Sequence, residues 1–507
     1  MRTSNSIKNS VMSLITNIVA MIVSFFNQAI FVRVLGTECL GLNGLFTNIV
    51  TMLGIVELGI GNAIVFNLYK PIAENNIKQI KSLMGFYKKT YRIIALVILL
   101  LGILILPLLK IIVGEININI NIYMIFILFI ISTISSYLMS YKRNIIIANQ
   151  KNYIINIIHL AYILLLNISQ IIVIYITKNF YLYLIIKIIC QIIENIIITM
   201  YANKKYNFLL EKESEKLDVE TERDIFSRVK ALVLHKIGGI VINGTDNILI
   251  STFFNITTVG LYTNYHLILN AVSTLFGQMI TSSTAVVGNY VITETKEKQF
   301  IIFKKIRFIN FWIAAFASTC VLVIIQPFME IWMGKKYLLG LSIVIVLVFN
   351  LFQKMMRYTY ATFKDSAGIW REDKLIPIFE SVLNILFSIV LLKMFGLIGV
   401  FIGTIISGLA LWCYSYPRFI YKGLLRQSYI NYIKETIGYI LLFVIISSVT
   451  YSISCLVTFE NIYIQVINNV IICLLVPNLL IIILFYKNEN FKYIISLIKR
   501  IIRKAHN

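Results

Sequence analysis

Charge is scarce in this chain. Of 507 residues, 14% are Asp, Glu, Lys or Arg and 59% are apolar, against about 45–50% apolar in ordinary globular domains. A mean hydropathy of +0.84 excludes a large soluble domain. Apolar stretches of roughly 20 residues, long enough to cross a hydrocarbon core as a helix, recur from end to end. The vocabulary of catalysis is also missing. H-E-x-x-H, a P-loop and G-x-S-x-G are all absent, which excludes an H-E-x-x-H zinc protease, direct drive by ATP through a Walker motif and a nucleophile-elbow enzyme. The six cysteines (Cys39, Cys190, Cys320, Cys413, Cys455, Cys473) show no C-x-x-C or metal spacing, and the four histidines are scattered. Small apolar packing suits such cysteines, and no metal or cofactor is expected. A polysaccharide polymerase or ligase would carry a large external loop for sugar chemistry. Here one set of connectors has only a handful of residues each, so an enzyme is not expected.

What is present is a series of spans. Hydropathy places them at 11–32, 42–66, 93–113, 122–140, 153–177, 181–201, 231–253, 259–290, 308–328, 337–356, 375–393, 396–416, 436–457 and 463–486, about fourteen helices of an all-α integral membrane protein. The first follows a short polar start with Arg2 and Lys8. Its apolar run is too long for a signal peptide and lacks an A-x-A-like cleavage site, so it reads as a retained helix.

Forty-six Lys and Arg against 23 Asp and Glu would suggest nucleic acid in a soluble protein. Here the basic residues fall in short segments between spans, so no nucleic-acid partner is expected. One set of connectors is basic: KPIAENNIKQIKSLMGFYKKTYR, YKRNIIIANQK, residues 202–230, TKEKQFIIFKKIR, residues 357–374, PRFIYKGLLRQSYINYIK and the tail ending IIRKAHN. The alternate set, LGTECLG, GEINININ, FFNITT, MGKKY, MFG and FENIY, is nearly free of Lys and Arg. By the positive-inside rule the basic set and both termini are cytoplasmic, which requires an even number of spans.

The mixed-charge run EKESEKLDVETERD reads as a solvated linker and divides the spans into six and eight. The expected organisation is a six-helix lobe at 1–201, a cytoplasmic linker at 202–230, a second six-helix lobe at 231–416, and two additional helices with a basic tail at 417–507. A weak internal repeat supports the break. LGLNGLF…GNAIVF resembles VGLYTNY…STAVVG, with Gly41-Leu42 and Gly260-Leu261 each opening a helix that closes on Ala63-Ile64 or Ala285-Val286. Such a repeat relates two halves of the same orientation by a pseudo-two-fold axis along the membrane normal, an architecture of transporters.

A charged side chain at the bilayer centre costs about 2.5–3.5 kcal/mol on insertion scales, so it normally faces a bundle interior or a cavity. Glu57, Lys187, Glu194, Asp246 and Glu380 lie within spans, with His159, His235 and His266; Arg33, Lys236, Lys354 and Arg357 lie near their ends, where interfacial anchoring explains a cation. Lys187 and Glu194 are separated by roughly 10 Å of helix rise. They read as one side chain snorkelling outward and the other inward, and His159 reads as a hydrogen-bonded packing residue. Asp246 differs, because Asn243, Thr245 and Asn247 surround it and Gly238, Gly239 and Gly244 thin the same helix. Spacings of three and four put Asn243, Asp246 and Asn247 on one stripe. That stripe suits a cavity wall, although polar contacts between helices have the same pattern. Glu57 repeats the arrangement beside Gly54, Gly59, Gly61 and Asn62.

VRVLGTECLGLNGLF and ELGIGNAI, TDNILISTFFNITTVGLYTNY around Asp246, and RYTYATFKDSAGIWREDKLIPIFESVLNILFSIVLLKMFGLIGVFIGTIIS at 357–407 resemble, in their order and spacing, bacterial polysaccharide (Wzx-type) flippases of the multidrug/oligosaccharidyl-lipid/polysaccharide exporter superfamily. The resemblance implies two six-helix lobes enclosing a central cavity, with two further C-terminal helices. It also implies an activity, moving an undecaprenyl-diphosphate-linked oligosaccharide to the outer leaflet of a bacterial plasma membrane for capsule or O-antigen-like polysaccharide. Membrane lipid and the glycosyltransferases or polymerase of the same pathway are the further partners implied.

On that reading Asn27, Asn62, Asn243, Asn247, Gln278 and Asn384 are cavity candidates. Arg33, Lys236 and Arg357 are diphosphate candidates, although the spans here are poorer in Arg than the family's cavity requires. Asp246, then Glu57 and Glu380, are candidates for coupling to H+ or Na+. A cation-coupled multidrug exporter and a lipid II flippase share the fold and remain open.

Overall fold

A computed structural model of the chain describes residues 2–57, 60–138, 140–210, 217, 222–223, 225, 238–239, 241–242, 244–369, 372–493 and 495–496. Lipid offers the peptide group no hydrogen-bond partner, so a chain of this composition must satisfy its backbone within helices. Among the described residues there is no strand. Ten helices there are long and apolar enough to cross a bilayer, or eleven if one bent pair is a single span.

That count is lower than the fourteen expected, for identifiable reasons. The expected spans 11–32 and 42–66 share one long helix, α1 (Arg2–Leu53), which turns only at Gly36, where φ is 83°. Of the span 231–253 the continuous described helix is only 244–253, too short to cross. The span 259–290 is divided at Ser282 and Ser283 into two helices, of which the longer, Ile256–Thr281, has the length to cross but is less apolar than the ten.

The chain forms two compact units, Met1–Asn264 and Tyr265–Asn507. In the first, α1 is followed by α2 (Ile60–Ala73), α3 (Ile77–Ile105), α4 (Ile122–Leu138), α5 (Tyr141–Ala148), α6 (Asn152–Thr177), α7 (Phe180–Lys205) and α8 (244–253). α1 packs along α6, and α7 packs against both α4 and α6. The α6–α7 turn is two residues long. Lys178 adopts the left-handed conformation, and Asn179 caps α7 by accepting from the backbone N–H groups of Tyr181 and Leu182. The core joins Ile64, Leu68, Leu83, Tyr87, Ile145 and Ile198. Phe208, Leu209, Leu217 and Ile225, from the segment expected to be a solvated linker, pack onto it.

The boundary between the units falls inside α9 (Ile256–Thr281). The second unit continues with α10 (Thr284–Thr293), α11 (Lys296–Trp332), α12 (Leu341–Ala367), α13 (Ile376–Phe395) and α14 (Leu397–Ala410). α11 is its central helix: 67% of its most apolar window is buried. α13 and α14 are joined by Gly396 alone and pack closely, because a Cβ on Gly399 would stand 2.0 Å from the Leu391 carbonyl oxygen. The chain then winds as a π-helix over Leu411–Leu424. At its end the Leu425 N–H bonds the Ile420 carbonyl five residues back at 2.9 Å. Pro417, inside this segment, cannot supply the N–H that an α-helical ladder requires. Two final helices, α15 (Tyr429–Leu456) and α16 (Ile462–Phe485), pack on α11.

The two glycines that mark the sequence repeat meet within the first unit. A Cβ on Gly41 would stand 2.0 Å from the carbonyl oxygen of Ile256, four residues before Gly260; one on Gly260 would stand 2.3 Å from that of Thr37, four residues before Gly41. The contact is reciprocal, as in a self-complementary interface, and a Cβ on Gly44 would meet Thr263 next to it. Backbones this close require small residues on both helices. Gly41→Ala is expected to destabilise the protein by about 1–3 kcal/mol. Gly438→Ala, with open space around that Cβ, is expected to be neutral or stabilising by up to about 1 kcal/mol. Thermal unfolding in detergent checks the opposite signs.

Candidate functional site

Two helical breaks in the first unit lie side by side. After α1 the chain tightens into a 3₁₀ turn at Gly54–Glu57 before α2 resumes at Ile60. Between α4 and α5 the axis bends by 44°. At membrane depth such backbone is tolerated where it is buried in protein or lines a cavity, and here a cavity of about 540 Å³ lies between the breaks. Glu57 and Gly61 line one side, Tyr91 from α3 a second, and Ser140, Arg143 and Asn144 a third; Val65, Phe66, Tyr69 and Ile147 complete the wall. The Tyr91 hydroxyl donates to Glu57 Oε1 at 3.2 Å, and Asn144 Nδ2 donates to the Tyr91 oxygen at 3.5 Å.

Arg143 is the cation of this cavity. Its Nη2 donates to Glu194 Oε1 at 3.0 Å, and His159 Nδ1 stands 2.9 Å from the same oxygen. Glu194 is 5% exposed, and the buried Nε of Arg143 finds no hydrogen-bond partner. Glu194 and His159, read from sequence as an inward-pointing anchor and a packing residue, thus belong to one cluster with Arg143. Lys187 does not join them: its Nζ sits 5.3 Å from the ring of Phe129. The sequence placed Arg143 in a cytoplasmic connector, YKRNIIIANQK. In the structure most of that connector is α5, and Asn144, Ile145 and Ile146 are buried.

The other candidates in this unit are dispersed. Asn27 serves helix packing, donating from Nδ2 to Asn167 at 2.6 Å and to Gln170 at 3.1 Å. Arg33 is exposed, three residues before the turn at Gly36. Thr245, Asp246 and Asn247 are all buried on α8, with Asp246 within electrostatic reach of Tyr262. Lys236 and Asn243 lie outside the described residues, as does the side chain of Asn62.

In the second unit α12 continues to Ala367, eleven residues past the expected end, so Arg357 lies inside a helix. Its Nη1 donates to Glu380 Oε1 at 2.8 Å, and Gly408 leaves room for the guanidinium, since a Cβ there would stand 2.2 Å from Nη2. Asn384 is fully buried and donates to Thr404 at 3.1 Å and to Ser407 at 3.4 Å. Gln278 is half-buried on α9.

Sequence reading missed Arg307, which is 1% exposed. It donates to Glu435 Oε2 at 2.5 Å, to Thr436 Oγ1 at 2.8 Å and to the Tyr421 hydroxyl. The rings of Tyr360, Tyr421, Tyr432 and Tyr439 surround its guanidinium. It ties α15 and the π-helix to α11. Among the described residues no group of three His, Cys, Asp or Glu side chains gathers as metal ligands.

Removing one partner of a buried pair strands the other charge at a cost of about 3–5 kcal/mol, whereas replacing both by apolar groups is often neutral. Arg357→Met is therefore expected to lower the melting temperature clearly. The double variant Arg357→Met/Glu380→Leu is expected to recover most of the loss in the same thermal assay.

Residues 6–286 match the family described as polysaccharide biosynthesis protein. No curated protein sequence matches the chain. Among solved structures, the fold is similar to that of the lipid II flippase MurJ in an inward closed conformation, with a TM-score of 0.70 at 15% identity, covering 95% of this chain and 99% of that one. It is also similar to an inward-facing multidrug resistance MATE family transporter of the MOP superfamily, with a TM-score of 0.57 at 15% identity over 81% of this chain and 96% of that one. A mutant of the Vibrio cholerae MATE transporter VcmN gives 0.57 at 15% identity over 84% and 99%.

Proposed function

The chain belongs to the polysaccharide biosynthesis protein family, and from that premise we propose that it is a flippase for an undecaprenyl-diphosphate-linked oligosaccharide. It carries the repeat unit from the inner to the outer leaflet of a bacterial plasma membrane, for capsule or O-antigen-like surface polysaccharide. The observation that carries the reading is the cavity between two broken spans with Arg143 on its wall. Its volume of about 540 Å³ lies within the range of ligand sites, about 300–1,000 Å³.

A sugar headgroup and its diphosphate cannot cross hydrocarbon unaided. Tyr91, Asn144 and Ser140 offer hydrogen bonds in place of water, and Arg143 offers the planar donor set that suits phosphate oxygens. Glu194 accepts from Nη2 alone, which leaves the other N–H donors of the guanidinium for a ligand. The polyprenyl tail stays in lipid while the protein alternates access to the site between the two sides of the membrane.

Glu57 shares the cavity, so an entering diphosphate meets a carboxylate. A proton or Na+ on Glu57 removes that repulsion and couples cation to substrate. Asp246 is the second carboxylate proposed for coupling. A MATE-type drug exporter is the weaker reading. The MATE structure matches 81% of this chain at 96% of its own length, and the unmatched remainder is close in size to residues 417–507.

The test is flipping of defined undecaprenyl-diphosphate-linked oligosaccharides in proteoliposomes, with and without an imposed proton or sodium gradient. Arg143→Ala is expected to lower transport at least ten-fold, with partial recovery in Arg143→Lys. Wild-type transport in Arg143→Ala rejects the diphosphate role. Asp246→Asn and Glu57→Gln are expected to abolish the gradient's effect while the protein stays folded. Persistence of that effect in both rejects the coupling role.

A further inference from the structure

The second unit holds a basic pocket that the transport reading does not use. It has a volume of about 430 Å³ and lies between the start of α11 and the segment after α16. Lys304, Lys305 and Lys492 line it with Tyr493 and Ser496, and Glu489 is the one carboxylate on its wall. The Lys305 Nζ sits 3.9 Å from the Tyr493 ring centroid, and the Lys304 Nζ 4.8 Å from that of Phe300. These ring contacts hold both ammonium groups while leaving their N–H donors for a ligand. The pocket is also braced. Phe491 is buried and stacks on Trp312 of α11 at 5.7 Å, and the Trp312 indole N–H donates to Asn478 Oδ1 at 2.8 Å.

Its place in the membrane distinguishes among anions. The pocket begins three residues beyond Tyr486 at the end of α16, and Ile483 and Leu484 just before it are exposed apolar residues. Ile301, which lines the pocket, is exposed as well. The cations of the pocket thus stand next to the end of a span whose outer face is apolar. Tyrosine and lysine at a span's end mark the headgroup level, and basic pockets between spans suit anionic lipid heads. We infer that this pocket binds the headgroup of an anionic phospholipid, in the leaflet that the basic connectors face. The lipid clamps the C-terminal segment against α11.

The experiment uses the full-length protein in detergent and in nanodiscs, with native mass spectrometry to count retained lipids. Phosphatidylglycerol is titrated against phosphatidylcholine, and inorganic phosphate serves as the soluble competitor. The wild type is expected to retain one more phosphatidylglycerol than Lys304→Ala/Lys305→Ala/Lys492→Ala. Each lysine removed weakens binding about five-fold, and the matching Lys→Arg variant keeps the lipid. Should the triple variant melt early, the single exposed change Lys492→Gln gives the same five-fold reading. Equal retention by wild type and alanine variants overturns the proposal, as does equal binding of phosphatidylcholine. Displacement of the lipid by millimolar phosphate overturns it too, since that marks a site for a soluble anion.

Discussion

A peptide group in hydrocarbon has no solvent to bond with, so each interruption of a helix in this chain must be covered by side chains or by another backbone. The interruptions are few, and they organise the molecule. The turn at Gly36 opens the stretch in which Thr37 and Gly41 meet Gly260 and Ile256 backbone to backbone and Gly44 faces the side chain of Thr263. The breaks at Gly54–Glu57 and between Leu138 and Tyr141 enclose the cavity with Arg143. The π-wound stretch brings Tyr421 to Arg307, and its Tyr416 stacks on Tyr360 at 4.4 Å. Most of the spanning helices leave the greater part of their apolar windows unburied, while α11 is buried at the centre of the second unit.

Each compact unit contains an arginine bonded to a buried glutamate, Arg143 with Glu194 in the first and Arg357 with Glu380 in the second. Desolvating such a pair costs about as much as its attraction returns, so it is weak evidence for stability. The two pairs differ in a way that matters for chemistry. Arg143 faces a cavity and its glutamate is shared with His159. Arg357 is enclosed by Gln353, Gly408 and α13, which suits a fixed joint.

The spans were legible because runs of Ile, Leu and Phe admit one reading; Gly41 and Gly260 stood out in the sequence, and each sits where a Cβ would meet the opposite backbone. The arginines were misjudged for one physical reason. Lys and Arg clusters report topology, so a basic stretch beside a span reads as a loop, yet 141–148 and 357–367 are helical. Spacing along its own helix set Glu194 apart from Lys187 and named no partner for it; its partners come from 51 and 35 residues away. Asn27 looked like a cavity residue for the same reason, since Asn167 and Gln170, which engage it, are 140 and 143 residues distant. One-dimensional spacing reports faces of a helix; it does not report which face meets which.

The winding of Leu411–Leu424 bears on how this protein tolerates change in length. Trp412, Tyr416, Ile420 and Leu425 turn inward at intervals of four and five, and Tyr421 follows that wide pitch to reach Arg307. Dropping one residue lets the segment relax toward ordinary α winding, the form most such stretches take. The relaxed turn swings Tyr421 out of the tyrosine ring around Arg307 and loosens the mooring of α15. A single deletion in this stretch therefore does more damage than most substitutions in it, because what the segment encodes is an angle accumulated along the chain.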